Sequence, residues 1–130
     1  MPTIILASPR VDRWQAFSDT LAAGIQADII TVRTGADALE AAQRLRPQLV
    51  VIDAELGDLT AEDLIRRLLG IDAMINTAVA SAEAEAVFQE ETEGLGILMK
   101  LSPLPTSAEA GRLVECLGQL QGYLKMIHTS

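Results

Sequence analysis

The stretch Pro47-Gln48-Leu49-Val50-Val51-Ile52-Asp53 sets four consecutive aliphatic residues between a proline and an acid. A strand that is apolar at every position has no face to offer to water, so it belongs in the middle of a sheet covered on both sides. Four further β-rich runs flank this one, which is itself read as Gln48 to Ile52: Thr3 to Ala7, Ala27 to Arg33, Ile75 to Ala80 and Gly96 to Lys100. Successive starts lie 24, 21, 27 and 21 residues apart. Helical periodicity fills the gaps, with Trp14, Phe17 and Leu21 in the first and Ala38, Leu39, Ala42 and Leu45 in the second. A βα unit repeated five times, with room for right-handed crossovers, predicts an α/β fold: a five-stranded, doubly wound parallel sheet with helices on both faces.

At 130 residues, with 49% of them apolar, the chain is long enough to bury about two-thirds of its unfolded surface without disulfide or metal staples. It reads as one domain over residues 1–130 with no output domain. Apolar runs fall far short of the roughly 18 residues that cross a bilayer, and no basic segment followed by a long apolar one opens the chain. The expectation is a cytoplasmic protein with no membrane partner. Cys116 is the lone cysteine, which fits a reducing compartment, and it reads as a small buried apolar residue rather than a nucleophile. A net charge of -8 argues against nucleic acid as a partner, because phosphate backbones are held by clustered Lys and Arg. Proteins are the expected partners.

In open α/β sheets, chemistry gathers beyond the C-terminal ends of the strands. Those ends carry Ser8 and Pro9, then Asp53 and Glu55, then Ser81, then Lys100. Each has a structural reading of its own. Ser8-Pro9 suits a helix N-cap followed by Pro at the first helical position. Asp53 suits an Asx turn, Ser81 a cap for a helix starting near Ala82, and Lys100 a solvated strand end.

Taken together in this order, the residues resemble the receiver domain of bacterial two-component response regulators over nearly the full chain. The 47–53 segment looks like that family's phosphoacceptor strand, with Asp53 in the acceptor place. Ser81-Ala82, 28 residues later, is similar to its Thr-Ala or Ser-Ala pair, and Lys100, 47 residues after Asp53, to its strand-five Lys. The resemblance implies a flavodoxin-like (βα)5 fold with strand order 2-1-3-4-5. It further implies phosphorylation of an ionised, exposed Asp53, with Ser81 and Lys100 binding the phosphoryl group and Mg²⁺ neutralising its charge.

The sequence departs from the family where the metal binds. The family's paired acids align with Ser8 and Pro9, neither of which supplies a carboxylate. Glu55 is a weak replacement and Asp12 a distant one, so no cofactor is expected beyond weakly bound Mg²⁺. Leu56-Gly57-Asp58-Leu59-Thr60-Ala61 replaces the family's usual loop, Leu101 and Ser102 separate Lys100 from Pro103, and Ile97 stands at the aromatic switch position. These departures describe a divergent, pseudo-receiver-like chain.

Between Arg67 and Lys100 lie Asp72, Glu83, Glu85, Glu90, Glu91 and Glu93 and no basic residue, which predicts a strongly acidic fourth helix. It reads as a solvated face or as a docking surface for a basic partner. Leu113, Leu117, Leu120, Leu124 and Ile127 form an apolar stripe along the last helix, while Gly111, Gly118 and Gly122 would admit another helix closely. By resemblance, helix four, strand five and helix five are a homodimer or effector face. His128 falls in a polar tail beyond the helix and receives no role.

The expected function is phosphorelay signal transduction without enzymatic activity of its own. Partners would be a histidine kinase, a phosphotransfer protein or an effector, and Mg²⁺-dependent phosphorylation would be weakened or lost. The alternative is an interaction module that works without phosphorylation, and behind it a flavodoxin-like hydrolase.

Overall fold

A computed structural model describes the backbone of residues 2–128 and the side chains of residues 2–120. Strands β1 (Thr3–Ala7), β2 (Asp28–Val32), β3 (Leu49–Asp53), β4 (Asn76–Ala80) and β5 (Met99–Leu101) alternate with helices α1 (Gln15–Ile25), α2 (Gly35–Leu45), α3 (Ala61–Ile71), α4 (Glu85–Glu91) and α5 (Ser107–His128). The sheet is parallel throughout and runs β2-β1-β3-β4-β5. The expected strand order and layering are what the chain adopts.

Side-chain alternation along the strands divides the core in two. Ile5, Val50, Ile52 and Val79 pack with Ala38, Leu64, Ile65, Leu68 and Phe88 under α2, α3 and α4. Ile4, Leu6, Leu49, Val51, Ala78, Ala80 and Leu101 pack with Trp14, Phe17, Leu21, Leu113 and Leu117 under α1 and α5. Every residue of β3 is buried, as a central strand requires. Thr34 and Thr60 cap α2 and α3 by accepting the backbone N–H of Asp37 and Asp63, which anchors the loops that follow β2 and β3.

Several boundaries move from expectation. Strand β5 is shorter and later than Gly96 to Lys100, because Gly94 and Gly96 adopt φ of +83° and +67° and hold the preceding residues in turns. Helix α4 starts at Glu85 with Ala84 as its cap, so Ser81 does not cap it. Helix α5 runs through His128 instead of ending before it. The side chains of Leu124 and Ile127, and the surroundings of Gly122, lie outside what the structure describes, whereas Leu113 and Leu117 of the stripe are buried. Cys116 is half-buried rather than buried.

Within the chain, the close helix contact is made by Gly24. A Cβ on Gly24 of α1 would meet Val114 Cγ2 of α5 at 2.7 Å, while Gly111 and Gly118 have nothing within 4 Å of theirs. Among the described residues no helix is long and apolar enough to cross a membrane.

Candidate functional site

Ser8 follows β1 on the face shared by Ile4 and Leu6, and Asp53 closes β3 on the face shared by Leu49 and Val51. The two therefore meet above the α1 and α5 layer, and Ser8 Oγ donates to Asp53 Oδ2 at 2.7 Å. Both residues are completely buried. The backbone N–H of Glu55 donates to Asp53 Oδ1 at 2.9 Å, closing the Asx turn that the sequence allowed.

A buried carboxylate needs a counter-charge, and Arg10 supplies it. Arg10 Nη2 lies 3.1 Å from Asp53 Oδ2 and 3.3 Å from Oδ1, and Nε lies 3.4 Å from Oδ2. The same guanidinium reaches Glu55 Oε2 at 3.8 Å. Its approach is fixed from the backbone: Ser8 Oγ accepts the Arg10 N–H at 2.9 Å, and Arg33 Nη1 donates to the Pro9 carbonyl at 2.9 Å. Ser8-Pro9 is thus a turn that aims Arg10 at Asp53, not a helix cap.

This corrects the expectation of an exposed Asp53, because Ser8 and Arg10 cover it. Arg10 was not a sequence candidate. The signal that points to it is electrostatic: an acid ending an all-apolar strand must be compensated, and Arg10 is the first base after β1, the neighbouring strand in the sheet.

The other candidates spread out. A hollow of about 200 Å³ beside the acid is lined by Arg10, Asp53, Glu55, Ser81, Glu83 and Pro103 among others. Ser81 is buried at its edge, its Oγ accepting the Glu83 N–H at 3.1 Å. Lys100 is not there. It pairs with Val79 in the β4–β5 ladder and lines a groove against α4 with Glu85, Phe88 and Ile97. Ile97 is half-buried against the α2, α3 and α4 core, and Asp12 is exposed on the turn before α1.

The donor set does not fit Mg²⁺. That ion demands near-octahedral oxygen ligands, usually with more than one carboxylate. Here both oxygens of Asp53 already accept hydrogen bonds, and Glu55, another carboxylate of the hollow, faces the guanidinium. Among the described residues no group of three acids, histidines or cysteines is placed to hold a metal.

Asp58 and Glu91 also have defined environments. Asp58 accepts the N–H groups of Gly35 and Ala36 at the start of α2, and these bonds, that of Gly35 foremost, lower its pKa. Glu91 of α4 is raised by its hydrogen bond with Glu83 and by that neighbour's charge. Glu83, Glu85, Glu90, Glu91 and Glu93 are all exposed, so the expected acidic face is present.

Five parallel strands in the order 2-1-3-4-5, with an acid ending the central one beside the ends of β1 and β4, are the flavodoxin-like fold of response-regulator receiver domains. No protein-family model and no curated protein matches the chain. Solved structures do. A signal receiver domain assigned to a Luxo repressor protein of Vibrio parahaemolyticus superposes with a TM-score of 0.80 at 20% identity, covering 99% of this chain and 98% of that one. A response regulator from Desulfuromonas acetoxidans gives 0.77 at 18% identity over 92% and 98%. The chemotaxis response regulator CheY4 of Vibrio cholerae gives 0.75 at 16% identity over 88% and 97%. At such identities what is shared is the fold.

Proposed function

We propose that this chain is a receiver-like component of two-component signalling, acting in the cytoplasm through contacts with a histidine kinase, a phosphotransfer protein or an effector. The observation that carries the reading is the placement of Asp53, a buried acid at the C-terminal end of the central strand of a receiver fold, lining the same hollow as Ser81. Asp53 is the acceptor position and Ser81 its hydroxyl partner. Arg10 takes the counter-charge role that the resemblance gives to Lys100.

Of the two ways such a module can signal, Arg10 favours the one that does not require phosphorylation. To attack phosphorus, Asp53 must first shed the guanidinium and the Ser8 hydroxyl. The phosphoryl group would then bring about two negative charges to a hollow already lined by Glu55 and Glu83, with Arg10 the cation lining it. Transfer should be slow or absent. A hydrolase reading is weaker still, because the Glu55 side chain, 76% exposed and turned toward Arg10, is not placed as a second acid. The acidic α4 face, with β5 and α5, is the proposed contact surface for an effector or a second copy.

The test is intact mass after incubation with acetyl phosphate and Mg²⁺, for the wild type and Asp53→Ala. Little or no added phosphate supports the phosphorylation-independent reading. Rapid, stoichiometric modification that Asp53→Ala abolishes would overturn it.

A further inference from the structure

We propose that Arg10 is the resident counter-ion of this site, and that its guanidinium and a divalent cation exclude one another on Asp53. The inference rests on the reading of Asp53 as the acceptor position, and it concerns what holds that position when nothing is bound to it. A fully buried carboxylate is costly unless a charge and hydrogen bonds compensate it. Arg10 provides both through a fixed planar fork, whose Nη2 reaches both carboxylate oxygens and whose Nε adds a third contact.

The fork is placed, not free. Ser8 joins the two partners, donating its hydroxyl hydrogen to Asp53 while accepting the backbone N–H of Arg10. Arg33 holds the intervening Pro9 carbonyl. Arg10 thus enters from the turn after β1, where its guanidinium contacts Asp53 and Glu55 together.

A cation reaching Asp53 would have to displace this guanidinium or lie against it. Removing Arg10 leaves a hollow lined by Asp53, Glu55 and Glu83 without the base that now lines it, which converts a compensated site into an anionic one. Loss of a like charge about 4 Å away predicts at least a tenfold gain in cation affinity.

The experiment measures Mn²⁺ binding by electron paramagnetic resonance and Mg²⁺ binding by calorimetry, on wild type, Arg10→Gln, Arg10→Lys and the double variant Arg10→Gln with Asp53→Asn. Arg10→Gln should bind at least about tenfold more tightly than wild type. Arg10→Lys should behave like wild type, and the double variant should lose the gain. Equal affinity in wild type and folded Arg10→Gln overturns the proposal, as does a gain that survives Asp53→Asn. If Arg10→Gln does not fold, the wild type decides alone: a thermal midpoint that rises saturably with MgCl₂ beyond a NaCl control of equal ionic strength overturns it, and a matched response supports it. The readout is cation binding, so phosphorylation of Asp53 without any metal dependence would overturn the phosphorylation-independent reading and leave this inference standing.

Discussion

Leu101 stands opposite Ala80 in the β4–β5 ladder, so Lys100 stands opposite Val79 and on the α4 side of the sheet. One residue of register separates the base from the face that carries Asp53. Lys100→Ala should therefore change stability by less than about 0.5 kcal/mol, as a surface substitution does. Urea unfolding of Lys100→Ala, Asp53→Asn and the double variant should give a coupling near zero. A coupling above about 1 kcal/mol would mean that the two side chains meet.

Arg10 and Asp53 should show the opposite result, with an asymmetry. Asp53 cannot reach water, whereas the Arg10 side chain is 33% exposed and can turn outward when its partner is neutralised. Arg10→Ala leaves a buried, uncompensated acid and should cost about 2–3 kcal/mol, reduced from a fully buried pair by the surviving bonds from Ser8 and Glu55. Asp53→Asn should cost about 1 kcal/mol less than that. Equal costs in urea unfolding would show that exposure does not govern the pair.

Ser8 is the hinge of that pair, and its hydroxyl is doubly used. Ser8→Ala removes one bond to the buried carboxylate and one from the Arg10 backbone, with almost no change of volume. The expected loss is about 1–3 kcal/mol, typical of a hydrogen bond to a charged group. Cysteine at this position, a weak donor, should recover little of it. Thermal unfolding of both variants beside wild type makes the measurement.

The parts of this molecule that were legible in the sequence are those fixed by local pattern. The all-apolar β3 and the 3.6-residue periodicities before and after it gave the layers, and with the resemblance the strand order. Strand β5 was misplaced because Gly96 to Leu101 is apolar except for Lys100, and that pattern does not show the positive φ of Gly94 and Gly96 that delays pairing with β4. Arg10 was missed for a related reason. Its contact with Asp53 spans 43 residues, and no local pattern marks a base in a turn as the partner of so distant an acid. Ser8 was noticed as a missing acid; what the fold adds is that its hydroxyl and its neighbour's guanidinium do the compensating.

Glu109 gives the loop between β5 and α5, whose Pro103 lines the hollow, a pH dependence. Thr106 caps α5 and Glu109, three residues on, reaches back to it, while also accepting the Ser102 N–H at 2.8 Å and its hydroxyl at 2.6 Å. Burial raises the Glu109 pKa, but the bonds from Ser102 and Thr106 outweigh it and hold the carboxyl below its ordinary 4.5. A folded pKa below the unfolded one means stability that is fully present above about pH 5 and lost as pH falls through the folded value. Glu109→Gln should cost about 1–2 kcal/mol at neutral pH, and the gap to wild type should narrow as the pH falls through the lowered folded pKa. A gap independent of pH would show that the amide keeps the loop as well as the carboxylate does.

Two glycines in facing helices should respond in opposite directions to the same substitution. Gly118 is exposed with nothing within 4 Å of its would-be Cβ, so Gly118→Ala should add about 0.5–1 kcal/mol through helix propensity alone. Gly24→Ala gains the same propensity, yet its Cβ would lie 2.7 Å from Val114 Cγ2 and 3.1 Å from Cγ1, both on a stiff β-branched side chain. Overpacking of about 1–3 kcal/mol exceeds the gain, so Gly24→Ala should be destabilising. Truncating the obstruction should reverse the sign: in a Val114→Ala background, Gly24→Ala is expected to stabilise. Thermal melts of the four combinations decide it, and a Gly24→Ala that destabilises equally in both backgrounds would place the constraint in α1 itself rather than in its contact with α5.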